Sequence, residues 1–251
     1  MRRQLALMLT IVAFIAGCSS AGDEATADAA AIADTAGIAV VDHVIVSIDS
    51  LERGMAMLEQ LTGVAPAMGG VHPGRGTRNA LLSLGPTTYL ELLAPNPADS
   101  AGPAMVEAMA RFRDLTPSGW AVYTPNATAL HGDISARGTA LSELRPGSRA
   151  TTTGDTLRWV TFAPPALAEE WLLPFFIEWV VPTPHPATTT PTGCTLAGMT
   201  LATPAPDSLR QHLTQLDLHV TVAAATGRTM RLTMECPAGR VTLEGPDAAT
   251  P

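Results

Sequence analysis

Aromatic and charged side chains are scarce in this chain. Of its 251 residues, Phe, Trp and Tyr make up 4% and Asp, Glu, Lys and Arg 15%, whereas 46% are apolar. An apolar fraction of this size excludes an intrinsically disordered protein. The length and composition fit one large or two small globular cores.

Clusters of basic residues are also missing. The formal net charge is −8 at pH 7. An acidic chain without a basic cluster is poorly suited to bind nucleic acid or to dock electrostatically on anionic lipid. We therefore expect no nucleic-acid partner.

Common catalytic and nucleotide-binding signatures are absent as well. The sequence has no serine elbow, no Cys–His nucleophile pair, no zinc-ribbon spacing and no P-loop. These absences argue against the hydrolases, thiol enzymes, zinc ribbons and nucleotide-binding proteins that such signatures mark.

The N-terminal apolar run is too short to cross a membrane. It extends from Leu5 to Ala16 after two arginines, about half of the roughly 20 residues that a spanning helix needs. The run ends in "IAGC", which resembles the bacterial lipobox, so residues 1–17 are predicted to be a signal peptide and Cys18 a lipidation site. The alternative is an ordinary secretory signal with a chance cysteine. Residues 18–38 are small, polar and acidic, as expected of a flexible tether between a lipid anchor and an exported domain.

From residue 39 onward the chain repeats one order of elements. A β-branched strand, "AVVDHVIVSI", precedes the helical pattern "DSLERGMAMLEQLTG" and several strands that end in "TYLELLAP". Two further stretches follow the same order, and each of the three units closes on a strand with a glutamate: Glu91, Glu178 and Glu244. The fold class predicted from this order is α+β.

Four motifs resemble one known superfamily. The segments "DHV", "GGVHPGRGTRN", "YLELL" and "LPFFIEW" occur in the order found in the glyoxalase-like branch of the vicinal oxygen chelate superfamily. The resemblance implies repeated βαβββ modules that form curved mixed sheets around a cleft, with a paired-module domain over residues 39–186. Residues 187–251 lie outside it and resemble an additional βαβββ-like half-module.

The resemblance also implies a divalent metal in the cleft, whose identity the sequence leaves open. His43, Glu91 and Glu178 occupy the positions that match the ligands of the superfamily, and Glu178 is expected to move a proton. A fourth ligand is missing, because the strand "WAVYT" offers no His, Glu or Asp at the matching position. The implied activity is a metal-assisted lyase or isomerase reaction on a small oxygenated metabolite.

Two alternatives to metal binding remain open at this point. A buried Arg78–Glu91 ion pair would also compensate the carboxylate of Glu91. A metal-free protein with the same fold would bind or sequester a small apolar or aromatic compound with Trp120, Trp179 and Phe176.

Substrate-binding residues are expected in the Gly-rich segment and among the tryptophans. They are His72, Arg75, Arg78, Asn79, Trp120 and Trp179. The remaining histidines show no site-like spacing and are expected to be core or surface residues: His131, His185, His212 and His219.

Cys194 and Cys236 are expected to form a disulfide. Both lie in the third unit, on strands that are neighbours in this type of module, and export would permit the bond.

Apart from the small-molecule ligand, two further partners are expected. They are the membrane, through the lipid, and a second copy of the chain.

Overall fold

The structure is a computed structural model, and it describes residues 40–151, 154–165 and 171–245. The predicted signal peptide, the tether and Cys18 lie outside these ranges. Within them no helix is long and apolar enough to cross a membrane.

The first unit is a strand, a helix and three further strands. Ser50 caps the N-terminus of the helix, and Gly63 ends it with a left-handed φ of 74°, a conformation that glycine adopts without steric cost. The elements are β1 (Val40–Ser47), α1 (Leu51–Thr62), β2 (Ala67–His72), β3 (Thr77–Ser83) and β4 (Tyr89–Pro95).

The second unit repeats this order after a connecting helix. Asn126 caps its helix by accepting a hydrogen bond from the Ala129 amide. The elements are the connecting helix α2 (Gly102–Met109), then β5 (Thr116–Tyr123), α3 (Ala127–Ala136), β6 (Arg145–Ala150), β7 (Thr156–Phe162) and β8 (Phe175–Trp179).

These two units share one eight-stranded mixed sheet with the order β2-β3-β4-β1-β5-β8-β7-β6. In each unit the first strand pairs in parallel with the last, and β1 joins the halves by antiparallel pairing with β5. The two edge strands approach each other, since Arg149 of β6 donates a hydrogen bond to the Gly69 carbonyl of β2. The sheet is therefore curved and nearly closed, which confirms the predicted α+β class.

The third unit has the same element order but a different strand order. It consists of β9 (Thr195–Thr203), α4 (Pro206–Gln215), β10 (Thr221–Ala224), β11 (Thr229–Cys236) and β12 (Gly239–Glu244). Its sheet has the order β10-β9-β11-β12, so its first strand lies between two others instead of pairing with the last. A disulfide joins Cys194 to Cys236, with the two Cα atoms 4.2 Å apart.

The third unit packs on the first through a continuous hydrophobic core. Leu58 of α1 and Leu232 of β11 are fully buried in the same cluster. Backbone hydrogen bonds cross this interface from the Leu196 amide to the Leu84 carbonyl (3.0 Å) and from the Ala238 amide to the Thr62 carbonyl (3.1 Å). The concave face of the curved sheet forms a cavity whose lining comes from the first two units.

Candidate functional site

A cavity of about 610 Å³ lies inside the curve of the eight-stranded sheet. Side chains alternate along each strand, so every second residue faces this cavity. On β1 and β4 these are His43 and Ile45, and Tyr89, Glu91 and Leu93. The predicted convergence of His43 and Glu91 on one sheet face is therefore what the structure shows.

Glu91 is a buried carboxylate, 8% exposed. The Asn79 amide donates a hydrogen bond to its Oε1 at 2.6 Å. The Nε2 atoms of His43 and His72 lie 3.5 and 3.6 Å from its two oxygens. Burial by itself raises the pKa of Glu91, but the two histidines, Asn79 and Arg149 outweigh it and lower the pKa below its ordinary value. Glu91 is therefore a charged proton acceptor at neutral pH.

Asp42 lies behind His43 and orients its ring. Its carboxylate is completely buried and accepts hydrogen bonds from His43 Nδ1 (2.6 Å), Trp179 Nε1 (2.9 Å) and His185 Nε2 (2.9 Å). Burial raises the pKa of Asp42, whereas the bonds from His185 and His43 lower it to about 2 overall. Because His43 donates through Nδ1, its Nε2 faces Glu91, and in the neutral ring this nitrogen carries a lone pair.

An irregularity in β1 makes this arrangement possible. Neighbouring residues of a regular strand point to opposite faces, which would separate Asp42 from His43. The pairing of β1 with β5 shifts register between Val41 and His43, so Asp42 is the additional residue of a bulge. Bulges of this kind redirect a side chain.

The sequence did not identify Asp42 or His185 as site residues, and the expectation that His185 has no role at a site is wrong. Two features of the sequence could have pointed to them. Asp42 directly precedes His43 in "DHV", and His185 lies between two prolines in "PHP". His185 accepts the Ala187 amide through Nδ1 at 3.2 Å. Its Nε2 therefore carries the proton donated to Asp42.

Glu178 was predicted as a metal ligand and catalytic residue, and the structure contradicts both roles. Its carboxylate lies on the outer face of the sheet, where Oε2 accepts the Ala127 amide at the start of α3 at 2.7 Å. The cavity-facing residues of β8 are Phe175, Ile177 and Trp179. The prediction assigned the wrong set of alternate residues on β8 to the cavity. Because successive side chains of a strand point to opposite faces, an error of one residue reverses the face of every side chain.

The second unit supplies no replacement ligand. His43 pairs with Tyr89, two residues before Glu91, and Ala121 pairs in the same way with Phe175, two residues before Ile177. The counterparts of His43 and Glu91 are therefore Ala121 and Ile177. Within the described ranges no three His, Cys, Asp or Glu side chains are arranged to hold a metal ion. The residues present do not fit the predicted metal site.

The alternative pairing of Arg78 with Glu91 is also wrong. Arg78 lies on the outer face and forms an ion pair with Glu52 of α1, with Nη1 and Oε1 2.8 Å apart. The connection between β3 and β4 consists of residues 84–88 and so has an odd number of residues. The predicted pairing of Arg78 with Glu91 assumed an even number. The odd length turns Arg78 outward and Asn79 inward, so Asn79 is the partner of Glu91.

Among the predicted substrate-binding residues, the cavity is lined by His72, Arg75, Asn79 and Trp179. Trp120 is instead a core residue that is 2% exposed, and its indole donates to the Leu172 carbonyl at 2.7 Å. Phe176 stacks on Phe162 in the same core, with ring centroids 4.8 Å apart. Neither residue lines the cavity, so their predicted contact with ligand is wrong.

The aromatic wall of the cavity is formed by Trp159 and Trp179 of neighbouring strands, with ring centroids 5.8 Å apart. The indole of Trp159 lies directly against Gly147 of β6, where a Cβ atom would collide with it. Glycine at this position therefore allows the ring to approach the strand closely.

Comparison with known proteins agrees with this architecture. The sequence profile of the family described as "Glyoxalase-like domain" matches residues 41–216, which is more than half of the chain. The chain belongs to the glyoxalase-like domain family. The match continues beyond residue 186, where the paired-module domain was predicted to end, through β9 and α4.

The solved structures similar to this glyoxalase-like protein are distant in sequence. A hypothetical protein from Staphylococcus aureus has 14% identity and a TM-score of 0.59, over 84% of this chain and 87% of that one. A methylmalonyl-CoA epimerase from Streptomyces coelicolor has 18% identity and a TM-score of 0.42, over 58% and 97%. The epimerase from Mycobacterium tuberculosis has 16% identity and a TM-score of 0.39, over 55% and 86%. None of the curated proteins compared with the chain matches it.

Proposed function

We propose that this glyoxalase-like protein transfers a proton within a small oxygenated metabolite, in a reaction of the lyase or isomerase type. The observation that carries the proposal is the buried, charged Glu91, whose Oε2 lies 3.5 Å from His43 Nε2. The charged carboxylate and an imidazole nitrogen thus face one another in the same cavity. Catalytic bases are commonly buried and held by neighbouring groups in this way.

In the proposed step, Glu91 removes a proton from the carbon next to a substrate carbonyl. The electrons of the C–H bond form a C=C bond, and the π electrons of the carbonyl move to its oxygen, which gives an enolate. Tyr89 lines the cavity and its hydroxyl has no hydrogen-bond partner in the described part of the chain, so the hydroxyl is proposed to donate to this oxygen. Return of the proton to the opposite face of the carbon, from Glu91 directly or after transfer to His43 Nε2, completes an isomerisation.

A divalent metal is often used in the vicinal oxygen chelate superfamily, but it has no step in this proposal. Of the predicted metal ligands, Glu178 lies on the outer face of the sheet. In the second unit, Ala121 and Ile177 occupy the positions that correspond to His43 and Glu91. The proposal therefore rests on the acid–base groups of the chain itself.

The experiment is exchange of the carbon-bound protons of phenylpyruvate with D₂O, followed by proton NMR. We expect the protein to accelerate exchange above the rate in buffer. Glu91→Gln should reduce the acceleration by about 10²-fold or more, the usual contribution of a general base. Glu178→Gln is the matched control, because the outward-facing side chain should leave the rate unchanged. Equal rates for the wild type and the Glu91 variant would contradict the proposed role.

A metal-free binding protein is the second candidate. Trp159, Trp179, Phe175 and Ile177 form one apolar wall of the cavity, and buried Ala121 packs against it. Such a wall suits an unsaturated ligand that is held but not converted. Saturable binding of phenylpyruvate without any accelerated exchange would favour this candidate over the enzyme.

We also propose that the protein is exported and anchored to a bacterial membrane by lipid on Cys18. The support is the charged N-terminus, the short apolar run and "IAGC" in the sequence. Mass spectrometry of the N-terminus of the purified protein tests this. Homodimer formation stays a prediction, to be measured by light scattering.

A further inference from the structure

The cavity carries the opposite charge to the chain as a whole. The protein has a formal net charge of −8, yet Arg75, Arg145 and Arg149 line the cavity together with only one carboxylate, Glu91. Arg75 and Arg149 both lower the pKa of His72, after burial as the main cause, so their positive charge extends to the floor of the site. A cationic recess in an acidic protein concentrates anions.

The arginines at the mouth of the cavity have no internal partner. Arg75 and Arg145 form neither an ion pair nor a side-chain hydrogen bond with any residue that the structure describes. By contrast, most arginines outside the cavity are paired, including Arg78 with Glu52, Arg210 with Asp207 and Arg240 with Glu235. The two unpaired guanidinium groups are therefore available to a ligand.

The arginines flank an aromatic surface formed by Trp159 and Trp179. Arg145, Gly147 and Arg149 alternate along β6, and the Trp159 indole lies over the glycine between the two arginines. Trp179 meets Trp159 edge to face at 5.8 Å. A planar group on this surface would have guanidinium donors beside it, and planar donors of this kind match the geometry of an oxyanion.

We infer that the ligand of this cavity is a small organic anion, with a carboxylate or phosphate group on a planar, unsaturated body. The oxyanion binds Arg75 and Arg145 at the mouth, and the planar body lies on Trp159 with its far end toward Glu91. This inference concerns the same cavity as the proposed function and names its class of substrate, but it requires binding alone.

The test is isothermal titration of the purified protein with benzoate, phenylphosphonate and benzamide. Benzamide has nearly the shape of benzoate without its charge. We expect one or both anions to bind at least about tenfold more tightly than benzamide. The double substitution Arg75→Gln/Arg145→Gln should weaken anion binding by about tenfold and leave benzamide unaffected, as two partly exposed ion pairs would predict. Arg231→Gln, an exposed arginine of β11 outside the cavity, is the control and should have no effect.

The outcomes separate this inference from the proposed function. If benzamide binds as well as both anions, or if none of the three binds, the inference is overturned, whatever the proton-exchange result. If the double variant keeps the wild-type preference for anions while its circular dichroism is native, the arginines are not the recognition groups and the inference is overturned as well. If anions bind as expected but Glu91→Gln leaves proton exchange unchanged, the ligand class stands and only the enzymatic role of Glu91 fails.

Discussion

At the scale of single residues, the site contains two buried carboxylates that are stabilised in different ways. Asp42 accepts three N–H donors from His43, Trp179 and His185. Glu91 has one amide donor, and two imidazoles lie beyond direct hydrogen-bond length. The fully bonded Asp42 is suited to hold His43 in place. The less satisfied Glu91 keeps an oxygen available to a substrate.

Asp42→Asn is expected to remove a pH-dependent part of the stability. The pKa of Asp42 is lowered from 3.8 to about 2 in the folded protein. Its charge therefore stabilises the native state above about pH 4, and this contribution, roughly 2 kcal/mol, is lost as the pH falls through about 2. We expect the difference in unfolding free energy between the wild type and the variant to shrink by about that amount from about pH 5 to about pH 2.

Urea unfolding at a series of pH values measures this difference. Glu178→Asp is a suitable control, because it alters a carboxylate on the outer face of the sheet. A wild-type–variant difference that stays constant over the whole range would show that Asp42 is not the titrating group.

At the scale of elements, the position of each side chain depends on strand parity. β1, β3 and β4 present His43, Asn79 and Glu91 to the cavity, while the neighbouring Arg78 contacts α1 on the outer face. The third unit uses strands differently, with β11 and β9 pairing next to the disulfide of Cys194 and Cys236. Its buried face completes the core beneath the first unit.

Leu232→Ala on β11 is expected to destabilise the whole described fold rather than the third unit alone. Leu232 is completely buried in a cluster that continues into the first and second units, so its loss should cost about 2 to 5 kcal/mol. The four tryptophans of the chain, at positions 120, 159, 171 and 179, all lie outside the third unit. We therefore expect the fluorescence transition in urea to shift together with the circular dichroism.

Substitution of a half-buried position on the same strand, Thr233→Ala, provides the control for β-sheet propensity. A shifted circular-dichroism transition with an unchanged tryptophan transition would mean that the third unit unfolds by itself. The division at residue 186 would then be a true domain boundary.

At the scale of the whole molecule, charge is distributed unevenly. The chain is acidic overall, but Arg75, Arg145 and Arg149 collect at the cavity. Attraction to an anionic membrane is therefore not expected from the protein surface, and membrane association should depend on lipid.

Cys18→Ala is expected to abolish membrane association in a bacterial host. Without the thiol no acyl chain can be attached, and each buried methylene of such a chain contributes about 0.8 kcal/mol to membrane binding. Fractionation followed by immunoblotting should find the wild type with membranes and the variant in the soluble fraction or as an unprocessed precursor. Cys194→Ala, which leaves "IAGC" intact, should remain with the membranes. A mature N-terminus at another residue would refute lipidation at Cys18.

The sequence by itself determined the class of fold and half of the candidate site. Hydrophobic alternation and the repeated order of elements predict the strands and helices, since they depend on residues close together in the chain. The motifs "DHV" and "YLELL" were sufficient to bring His43 and Glu91 together, because the first and last strands of a unit pair in parallel. The family match over residues 41–216 agrees with the resemblance that these motifs indicate.

Only the tertiary structure decided which faces the remaining side chains occupy. The side-chain period of a strand is two, so one residue more or less in a connection or at a strand boundary reverses every side chain of the strand. That reversal moved Glu178 to α3 and Arg78 to Glu52. The contact of His185 with Asp42 joins residues 143 positions apart. It exists because the segment that follows β8 runs back along the sheet to β3, where the Ser83 amide donates to the Pro191 carbonyl, and so passes the bulge in β1.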